Sequence, residues 1–253
     1  MRLQGKTAII TGAGSGIGAA AVRKFLSEGA EVFATDVDKS ALESLAREFP
    51  SVATLAADVS QPDEVAAVFS AALERWDRLD ILVNSAGITA RNVASEASLA
   101  ERWDKVMEVN VKGSMLMAHA AVSAMRQSGG GAIINLSSVI GFTGYPTALE
   151  FSDGFNPYPS SKGAVSQFTR DLGVRLAKEG IRVNAVAPGF VHTSLTANVT
   201  RDPDTLRTLN HLHPVGRMGS AEEIANVVAF LASDEASFVN GAVWTVDGGY
   251  SAQ

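Results

Sequence analysis

The 253-residue sequence contains no cysteine, which excludes disulfide bonds and any thiolate nucleophile or metal ligand. It has only four histidines, and their spacing is not that of a metal site, because His211 and His213 simply flank Leu212 in a polar stretch. The net charge of −6 lacks the basic excess of nucleic-acid-binding proteins. We therefore expect neither a histidine- or cysteine-bound metal nor a nucleic-acid partner.

Long apolar runs are also absent. No stretch reaches the roughly 20 apolar residues that a membrane-spanning helix needs, and residues 1–6 lack the apolar core of a signal peptide. The absence of cysteine fits a reducing compartment. These features predict a soluble, cytoplasmic protein with no membrane partner. The composition, 46% hydrophobic and 19% charged, is typical of a globular protein, and the length suits one domain covering 1–253.

Short apolar runs alternate with helical patterns along the chain. Strands are predicted at 7–11, 31–35, 52–57, 81–83, 132–136, 181–187 and 242–246. Helices are predicted from the glycine-rich segment to about 28 and at 62–76, 101–127 and 159–178, with a further helix capped by Ser220 and Glu223. The polar segment 196–210 has a weak pattern and is predicted to be a mobile lid. This order predicts an α/β fold in which a doubly wound parallel sheet carries helices on both faces.

A glycine-rich segment, 12–18 (GAGSGIG), follows the first strand and opens a helix. Glycines there allow a tight turn and a close approach of the backbone to a pyrophosphate at the helix N-terminus; the alternative is an ordinary glycine turn. Asp36 ends the next strand, where an acidic side chain hydrogen-bonds ribose hydroxyls and repels a 2′-phosphate. We therefore predict a Rossmann-type site for NAD rather than NADP, with Lys39 as a nearby cation that can offset Asp36.

Tyr158 and Lys162 are four positions apart, which places both side chains on one face of a helix. A neighbouring ammonium favours phenolate, so we expect Lys162 to lower the pKa of Tyr158 from about 10. Pro159 is predicted in the first turn, which would put Lys162 near the unfavourable, positive end of the helix dipole. A local rule broken in this way indicates function. The pair also arises easily by chance, so its weight depends on the motifs around it.

Together these motifs resemble the short-chain dehydrogenase/reductase family over the whole chain. The matching residues are Thr11-Gly12-x-x-x-Gly16-x-Gly18, Asn84-Ser85-Ala86-Gly87, Asn110, Ser138, Tyr158, Lys162, Pro188-Gly189 and Thr193. The resemblance implies hydride transfer between NAD(H) and a secondary alcohol or polyol, or its ketone. It implies that Tyr158 is the general acid and base, that Ser138 hydrogen-bonds the substrate oxygen, and that Lys162 binds the nicotinamide ribose.

The resemblance also assigns the remaining contacts. Asn110 would hold a water that links Lys162 to solvent, or serve only as a satisfied helix-kink residue. The cofactor contacts implied are Gly12, Ser15, Gly16, Ile17, Gly18, Asp36, Asp58, Val59, Asn84, Ala86, Gly87, Tyr158, Lys162, Pro188, Gly189, Val191 and Thr193. The cofactor half would take about 1–137 and the catalytic half about 138–253. A homotetramer, with its main interface on 101–127 and 159–178, and a magnesium ion at Gln253 are further implications.

Ser138 and Tyr158 are 20 positions apart, farther than is usual in this family. Both side chains must reach one substrate oxygen, so we expect the apolar stretch 140–156 to form a wall of the substrate pocket. The predicted substrate contacts are Ser138, Phe142, Tyr145, Phe151, Phe155 and His192, with Glu150 and Asp153 as possible partners for hydroxyls. The alternative is that the aromatic residues pack on a neighbouring subunit or fill a surface groove.

Two other functions compete with an NAD-dependent alcohol or polyol dehydrogenase. An NADPH-type carbonyl or 3-oxoacyl reductase would share the catalytic residues, but Asp36 argues against its cofactor. A non-catalytic dinucleotide sensor would share the fold but has no need of the Tyr158–Lys162 pair. Ser85 matches a pattern found in some sugar-alcohol dehydrogenases of the family, which favours a polyol.

Overall fold

The fold is that of a computed structural model, which describes residues 1–147, 149 and 154–253. Nine strands lie in these residues: β1 (Thr7–Thr11), β2 (Glu31–Asp36), β3 (Ala53–Ala56), β4 (Ile81–Asn84), β5 (Gly131–Leu136), β6 (Ile181–Pro188), β7 (Val191–His192), β8 (Gly219–Ser220) and β9 (Val243–Val246). Seven form a parallel sheet in the order β3-β2-β1-β4-β5-β6-β9, and β7 pairs with β8 separately.

Eight α-helices connect the strands within the described part of the chain. They are α1 (Gly16–Ser27), α2 (Lys39–Glu48), α3 (Pro62–Arg75), α4 (Leu99–Met107), α5 (Ser114–Ser128), α6 (Pro157–Leu176), α7 (Pro203–His211) and α8 (Ala221–Ala232). None of the helices in the described ranges combines the length and the apolar character that crossing a membrane requires.

Both faces of the sheet are covered, as the sequence predicts. Ile9 and Ile10 are neighbours in β1 and both are fully buried, yet they belong to opposite cores because successive side chains of a strand point to opposite faces. Ile10 packs in the core that contains residues of α1, α2 and α8, and Ile9 packs in the core that contains residues of α3 and α5. Burial on both sides explains why the strands are continuous apolar runs. The predicted doubly wound α/β fold is confirmed.

The predicted helices differ from the structure in four places. The predicted helix 101–127 is interrupted by a π-helical turn, Glu108–Gly113, that separates α4 from α5. Helix α6 begins at Pro157, because the Asn156 side chain accepts a hydrogen bond from the amide of Tyr158 and caps the helix. Lys162 therefore lies in the second turn rather than the first. The segment 196–210, predicted as a lid, contains most of α7, and α2 had no counterpart among the predicted helices.

The order of the sheet places a ligand-binding crevice at its centre. β1 pairs with β2 on one side and with β4 on the other, so the chain reverses its direction of travel across the sheet at β1. In open parallel sheets, ligands bind beside such a point, at the carboxyl ends of the strands. The segments that follow β1, β4, β5 and β6 all contribute to one cleft there.

Candidate active site

The glycine-rich turn after β1 has no space for side chains. Gly12 adopts a φ of +62°, and a Cβ atom there would lie 2.8 Å from the backbone of Ala86. A Cβ at Gly18 would lie 2.0 Å from the carbonyl oxygen of Gly12. The Thr11 hydroxyl joins this turn to the segment after β4 by accepting hydrogen bonds from the amides of Ser85 and Ala86 at 3.1 and 3.0 Å. Close packing of the two segments therefore requires glycine at 12, and packing of α1 against the turn itself requires glycine at 18.

The N-terminus of α1 lacks a side-chain cap. Ser15 occupies the N-cap position but makes no capping hydrogen bond, because its hydroxyl lies 3.1 Å from the hydroxyl of Ser194 instead. The first turn of α1 also has no acidic residue. The amides of the first turn and the positive end of the helix dipole therefore face the cleft without a side-chain anion, an arrangement that suits a pyrophosphate.

Two carboxylates lie at the end of the cleft beside β2 and β3. Asp36 accepts hydrogen bonds from the amides of Gly14 at 2.9 Å and Asp38 at 3.0 Å, which fixes its side chain at the cleft edge. Asp58 accepts from the hydroxyl of Ser60 at 2.7 Å, and its other oxygen lies 3.7 Å from the ammonium of Lys105. Burial opposes ionisation of Asp58, but the Ser60 hydrogen bonds and the Lys105 charge together hold its pKa below the ordinary value.

One cavity of about 690 Å³ unites most of the predicted site residues. The predicted residues that line it are Gly12, Ser15, Gly16, Ile17, Asp36, Asp58, Val59, Ala86, Gly87, Ser138, Tyr145, Tyr158, Lys162, Pro188, Gly189, Val191 and Thr193. Its size falls within the range of small-molecule and cofactor sites. The carboxylates of Asp36 and Asp58 mark one end, and the hydroxyls of Ser138 and Tyr158 mark the other.

The hydroxyls of Ser138 and Tyr158 are joined by a hydrogen bond. Desolvation in the cleft raises the pKa of Tyr158, and the Ser138 hydrogen bond and the charge of Arg91 oppose that rise without cancelling it. The pKa of Tyr158 is therefore raised, and the expectation that it lies below its ordinary value is wrong. The Lys162 ammonium lies 5.7 Å from the centre of the Tyr158 ring.

Lys162 is a buried amine at the centre of the site. Its ammonium donates a hydrogen bond of 2.7 Å to the carbonyl oxygen of Leu136 at the end of β5. Burial lowers the pKa of Lys162 to about 8, because desolvation disfavours the charged form. The Ser137 hydroxyl donates to the carbonyl oxygen of Lys162 at 3.0 Å, so β5 also fixes the backbone of this turn of α6.

Asn110 occupies the π-helical turn and is fully paired. Its side-chain oxygen accepts from the amide of Ile88 at 2.8 Å, and its nitrogen donates to the carbonyl of Ile88 and the hydroxyl of Ser161, both at 2.9 Å. Asn110 thus joins the turn to the segment after β4 and to α6. It does not line the cavity, and these bonds are those expected of the helix-kink alternative. The role of Asn110 in a water relay stays a prediction.

Two residues predicted to contact the cofactor lie behind the cavity wall. The buried Asn84 donates to the side-chain oxygen of Asn135 at 2.9 Å and to the carbonyl of Ser114 at 3.2 Å, so it joins β4 to β5 and α5. Gly18 packs on the backbone of Gly12. Neither residue lines the cavity, because each supports a neighbouring segment that does.

The stretch 140–156 contributes to the cavity through Ile140 and Tyr145 among its described residues. Desolvation raises the pKa of Tyr145 well above its usual range. Phe142 and Phe155 are 49% and 66% exposed and lie outside the cavity lining, so their contact with a substrate stays a prediction.

The two remaining predicted substrate contacts are His192 and Phe151. His192 is exposed, is paired with Ser220 between β7 and β8, and does not line the cavity. Phe151, with the neighbouring Glu150 and Asp153, lies outside the described residues.

Several lining residues had not been predicted. The clearest are Arg91 and Asn92, which lie four and five positions after Gly87, Phe190, which lies within the predicted Pro188–Thr193 segment, and Ser194 and Leu195, which follow that segment. The available signal was position, since each lies just beyond a strand end already assigned to the site. Arg91 brings a positive charge to the end of the cleft that holds Tyr158, where it acts on both Tyr145 and Tyr158.

No group of three or more histidine, aspartate or glutamate side chains in the described ranges is arranged to hold a metal ion. Gln253, predicted as a magnesium ligand, donates its side-chain amide to the carbonyl of Leu212 at 3.0 Å.

Comparison with known proteins shows that this chain resembles oxidoreductases over nearly its whole length. Residues 12–251 match the family model described as enoyl-(acyl carrier protein) reductase. The chain is 41% identical to the 3-oxoacyl-[acyl-carrier-protein] reductase FabG of Thermotoga maritima, covering 98% of this chain and 99% of the relative. It is also 41% identical to the galactitol 2-dehydrogenase (L-tagatose-forming) of Cereibacter sphaeroides, covering 99% and 96%. The crystal structure of levodione reductase superposes with a TM-score of 0.89 at 35% identity, covering 99% of both chains.

Proposed function

The chain belongs to the short-chain dehydrogenase/reductase family of oxidoreductases, and from that premise we propose that it transfers a hydride between NAD(H) and a secondary alcohol or polyol, or the corresponding ketone. The observation that supports this proposal is the single cavity in which Ser138, Tyr158 and Lys162 lie at one end and the glycine-rich turn and Asp36 at the other. Bound along that cavity, the nicotinamide cofactor supplies or accepts the hydride.

The residues of the cleft fit a dinucleotide. The first-turn amides of α1 would hold the pyrophosphate, and Gly12 and Gly16 line the cavity beside them. Asp36 would accept hydrogen bonds from the adenosine ribose hydroxyls. Its negative charge supports NAD over NADP, since a 2′-phosphate there would meet a carboxylate. Lys162 would hold the nicotinamide ribose.

Tyr158 is proposed as the group that exchanges a proton with the substrate oxygen, as base in oxidation and acid in reduction. Ser138 already shares a hydrogen bond with the phenol and can donate to the same substrate oxygen as charge develops on it. The amine of Lys162, with a pKa of about 8, is close enough to respond to ionisation of the phenol. Burial limits water around these groups and strengthens each interaction among them.

A 3-oxoacyl or other carbonyl reductase is the second candidate. The name of the matching family model and the relative from Thermotoga maritima favour it, but the identity to galactitol 2-dehydrogenase is the same 41%. Asp36 supports the dehydrogenase, because an NADPH-type reductase must accommodate a 2′-phosphate. A non-catalytic sensor would have no need of a buried lysine beside a phenol, and burying that amine is unfavourable to stability.

The test is a matched screen of alcohols, polyols, cyclic alcohols, ketones and a 3-oxoacyl thioester with NAD(H) and NADP(H), followed by absorbance of the reduced nicotinamide. NAD-dependent oxidation of an alcohol or polyol supports the proposal. Efficient reduction of the thioester with NADPH, and none of the alcohols oxidised, would assign the second candidate. Tyr158→Phe serves as the control that any observed turnover belongs to this site.

We further propose a cytoplasmic homotetramer. Leu99 and Trp103 on α4 and Met115 on α5 are 55%, 41% and 46% exposed, and such apolar side chains on neighbouring helices support an interface there. Closed symmetric assembly is the common solution for such surfaces. A magnesium ion at Gln253 remains part of this proposal.

A further inference from the structure

His213 is a buried residue, 2% exposed, that follows α7 and has both ring nitrogens engaged. Nδ1 lies 2.7 Å from the carbonyl oxygen of Leu209, and Nε2 lies 3.1 Å from the backbone nitrogen of Phe190. A carbonyl only accepts and an amide only donates, so Nδ1 carries the proton and Nε2 keeps its lone pair. Both bonds are satisfied together by the neutral imidazole in this one tautomer.

The ring lies directly behind the segment of the cavity wall formed by Gly189 and Phe190. A Cβ atom at Gly189 would be 2.8 Å from Nε2 of His213 and 3.0 Å from the Cα of Asp247. On its other side the segment is held by the bond from the amide of Gly189 to the carbonyl of Val246, 3.1 Å long. The amide of Phe190 therefore depends on His213 for the position of its part of the wall.

The rings of Phe190, His213 and Tyr250 contact one another and pack against the segment that follows Ser138. The centroids of Phe190 and His213 are 5.9 Å apart, those of His213 and Tyr250 are 5.5 Å apart, and those of Phe190 and Tyr250 are 5.8 Å apart. Phe190 and Tyr250 pack in one apolar cluster with Val139 and Ile140, which follow Ser138. A shift of the His213 ring would therefore disturb the cavity wall next to both the predicted nicotinamide segment and the catalytic serine.

We propose that His213 is a positioning residue, whose neutral ring holds Gly189 and Phe190 in the conformation that binds the cofactor and whose protonation releases them. This inference rests on the proposed dinucleotide-binding function. Protonation would place an N–H on Nε2 opposite the N–H of Phe190, so two donors would face each other and the amide would lose its acceptor. The proposed binding conformation is thus present when the ring is neutral and is lost as the pH falls.

Two titratable groups face the ring from the C-terminal segment, Asp247 and Tyr250. Burial opposes ionisation of Asp247, but hydrogen bonds from Ser251 and Gly249 outweigh it and hold the pKa of Asp247 below the ordinary value, so this group is ionised. Desolvation raises the pKa of Tyr250, so that phenol stays neutral across the pH range of the test. His211, two residues earlier on α7, is exposed and bonded to the carbonyl of Arg207.

The test compares three variants of the full-length protein: His213→Gln, His213→Leu and the control His211→Gln. Glutamine offers an acceptor oxygen and a donor NH₂ but does not titrate, whereas leucine offers neither. The first measurement is the dissociation constant for NADH by fluorescence between pH 5.5 and 8.5, with no substrate present. The second is hydrogen exchange of the peptide containing Phe190, in the protein without cofactor, with all variants compared at equal pH.

We expect NADH affinity to weaken at low pH in the wild type and in His211→Gln, and to change much less in His213→Gln. His213→Leu should bind NADH roughly tenfold more weakly at pH 8 and exchange the Phe190 amide faster, because a buried donor then lacks an acceptor. Retention of the wild-type pH dependence in His213→Gln would overturn the inference, as would unchanged exchange in His213→Leu. If His213→Leu does not fold, the glutamine variant decides. Failure to oxidise any alcohol despite normal NADH binding would instead count against the proposed function.

Discussion

The ammonium nitrogen of Lys162 lies 5.7 Å from the centre of the Tyr158 ring, one turn further along α6. Desolvation acts on the two groups in opposite directions, raising the pKa of the phenol and lowering that of the amine to about 8. Both groups therefore favour their neutral forms more than free side chains do. Pairs of groups whose environments shift their pKa values in this way are typical of acid–base sites.

Loss of the phenol should abolish most turnover without affecting the fold. Tyr158→Phe removes only the hydroxyl, so the ring still packs. We expect kcat to fall by ~10²–10⁴-fold, the usual contribution of general acid–base catalysis, while the dissociation constant for NADH stays near the wild-type value. Steady-state kinetics and a fluorescence titration measure the two quantities. A variant that keeps most of its kcat would remove Tyr158 from its assigned role.

The lowered pKa of Lys162 predicts a pH-dependent stability. The amine has a pKa of about 8 when folded and about 10.5 when unfolded, so between these values the unfolded chain binds more protons and folding stability rises with pH. Below pH 8 Lys162 is charged in both the folded and the unfolded chain, so the folded protein carries the full free-energy cost of burying that charge. Relative to Lys162→Met, the wild type should gain on the order of 3 kcal/mol between pH 7.5 and 10.5.

Urea unfolding of the two proteins at each pH measures this difference, and other titrating groups cancel in the comparison. Lys162→Met should also lose activity. A stability difference that is independent of pH would show that Lys162 titrates normally in the folded protein.

Asp36 should determine the choice of cofactor. We expect kcat/KM with NAD to exceed that with NADP at least tenfold, about 1.4 kcal/mol, because a 2′-phosphate would meet the carboxylate. Asp36→Asn should reduce the ratio, and Lys39→Ala should increase it if that cation offsets Asp36. Kinetics with both cofactors for the three proteins test this order, and a tenfold preference for NADP in the wild type would refute it.

Tyr145 should affect substrate choice without affecting cofactor binding. It lines the cavity beside Tyr158, whereas Phe142 belongs to the same loop but is half exposed and lies outside the cavity. Tyr145→Ala should therefore change the ratio of kcat/KM among alcohols of different size, with KM for NAD preserved, and Phe142→Ala should change neither. Equal losses for all substrates in Tyr145→Ala would argue that the loop has only a structural role.

The proposed assembly predicts a tetramer in light scattering at micromolar concentration. Trp103→Glu introduces a charge on the exposed face of α4 and should yield a smaller species. Arg175→Glu changes the charge at an exposed position of α6, the other helix proposed for the interface, and the oligomeric states of the two variants are compared. A monomeric wild type would exclude the assembly. If magnesium is bound at the C-termini, a chelator should lower Tm, and an unchanged Tm would remove Gln253 as a ligand.

The local motifs could be predicted because their chemistry depends on neighbouring residues. The strand–glycine–helix order around Gly12, the acidic residue at Asp36 and the four-residue spacing of Tyr158 and Lys162 all follow from short-range backbone geometry. In the structure these residues line one cavity. The exposure of Phe142 and Phe155 could not be predicted, because apolar character indicates burial but not the surface that covers a side chain.

The sequence by itself determined the fold class and the set of groups that could do chemistry here, since alternating periodicity and strand-end positions depend on the order of residues alone. Only the tertiary structure decided the balance of charge at the site, because desolvation of Tyr158 and Lys162 depends on atoms supplied by β5 and other distant segments. It also decided the place of His213, which is 23 positions from Phe190 in the chain but within hydrogen-bonding distance in the fold. Contacts between residues so far apart in the sequence depend on tertiary packing and cannot be predicted from residue spacing.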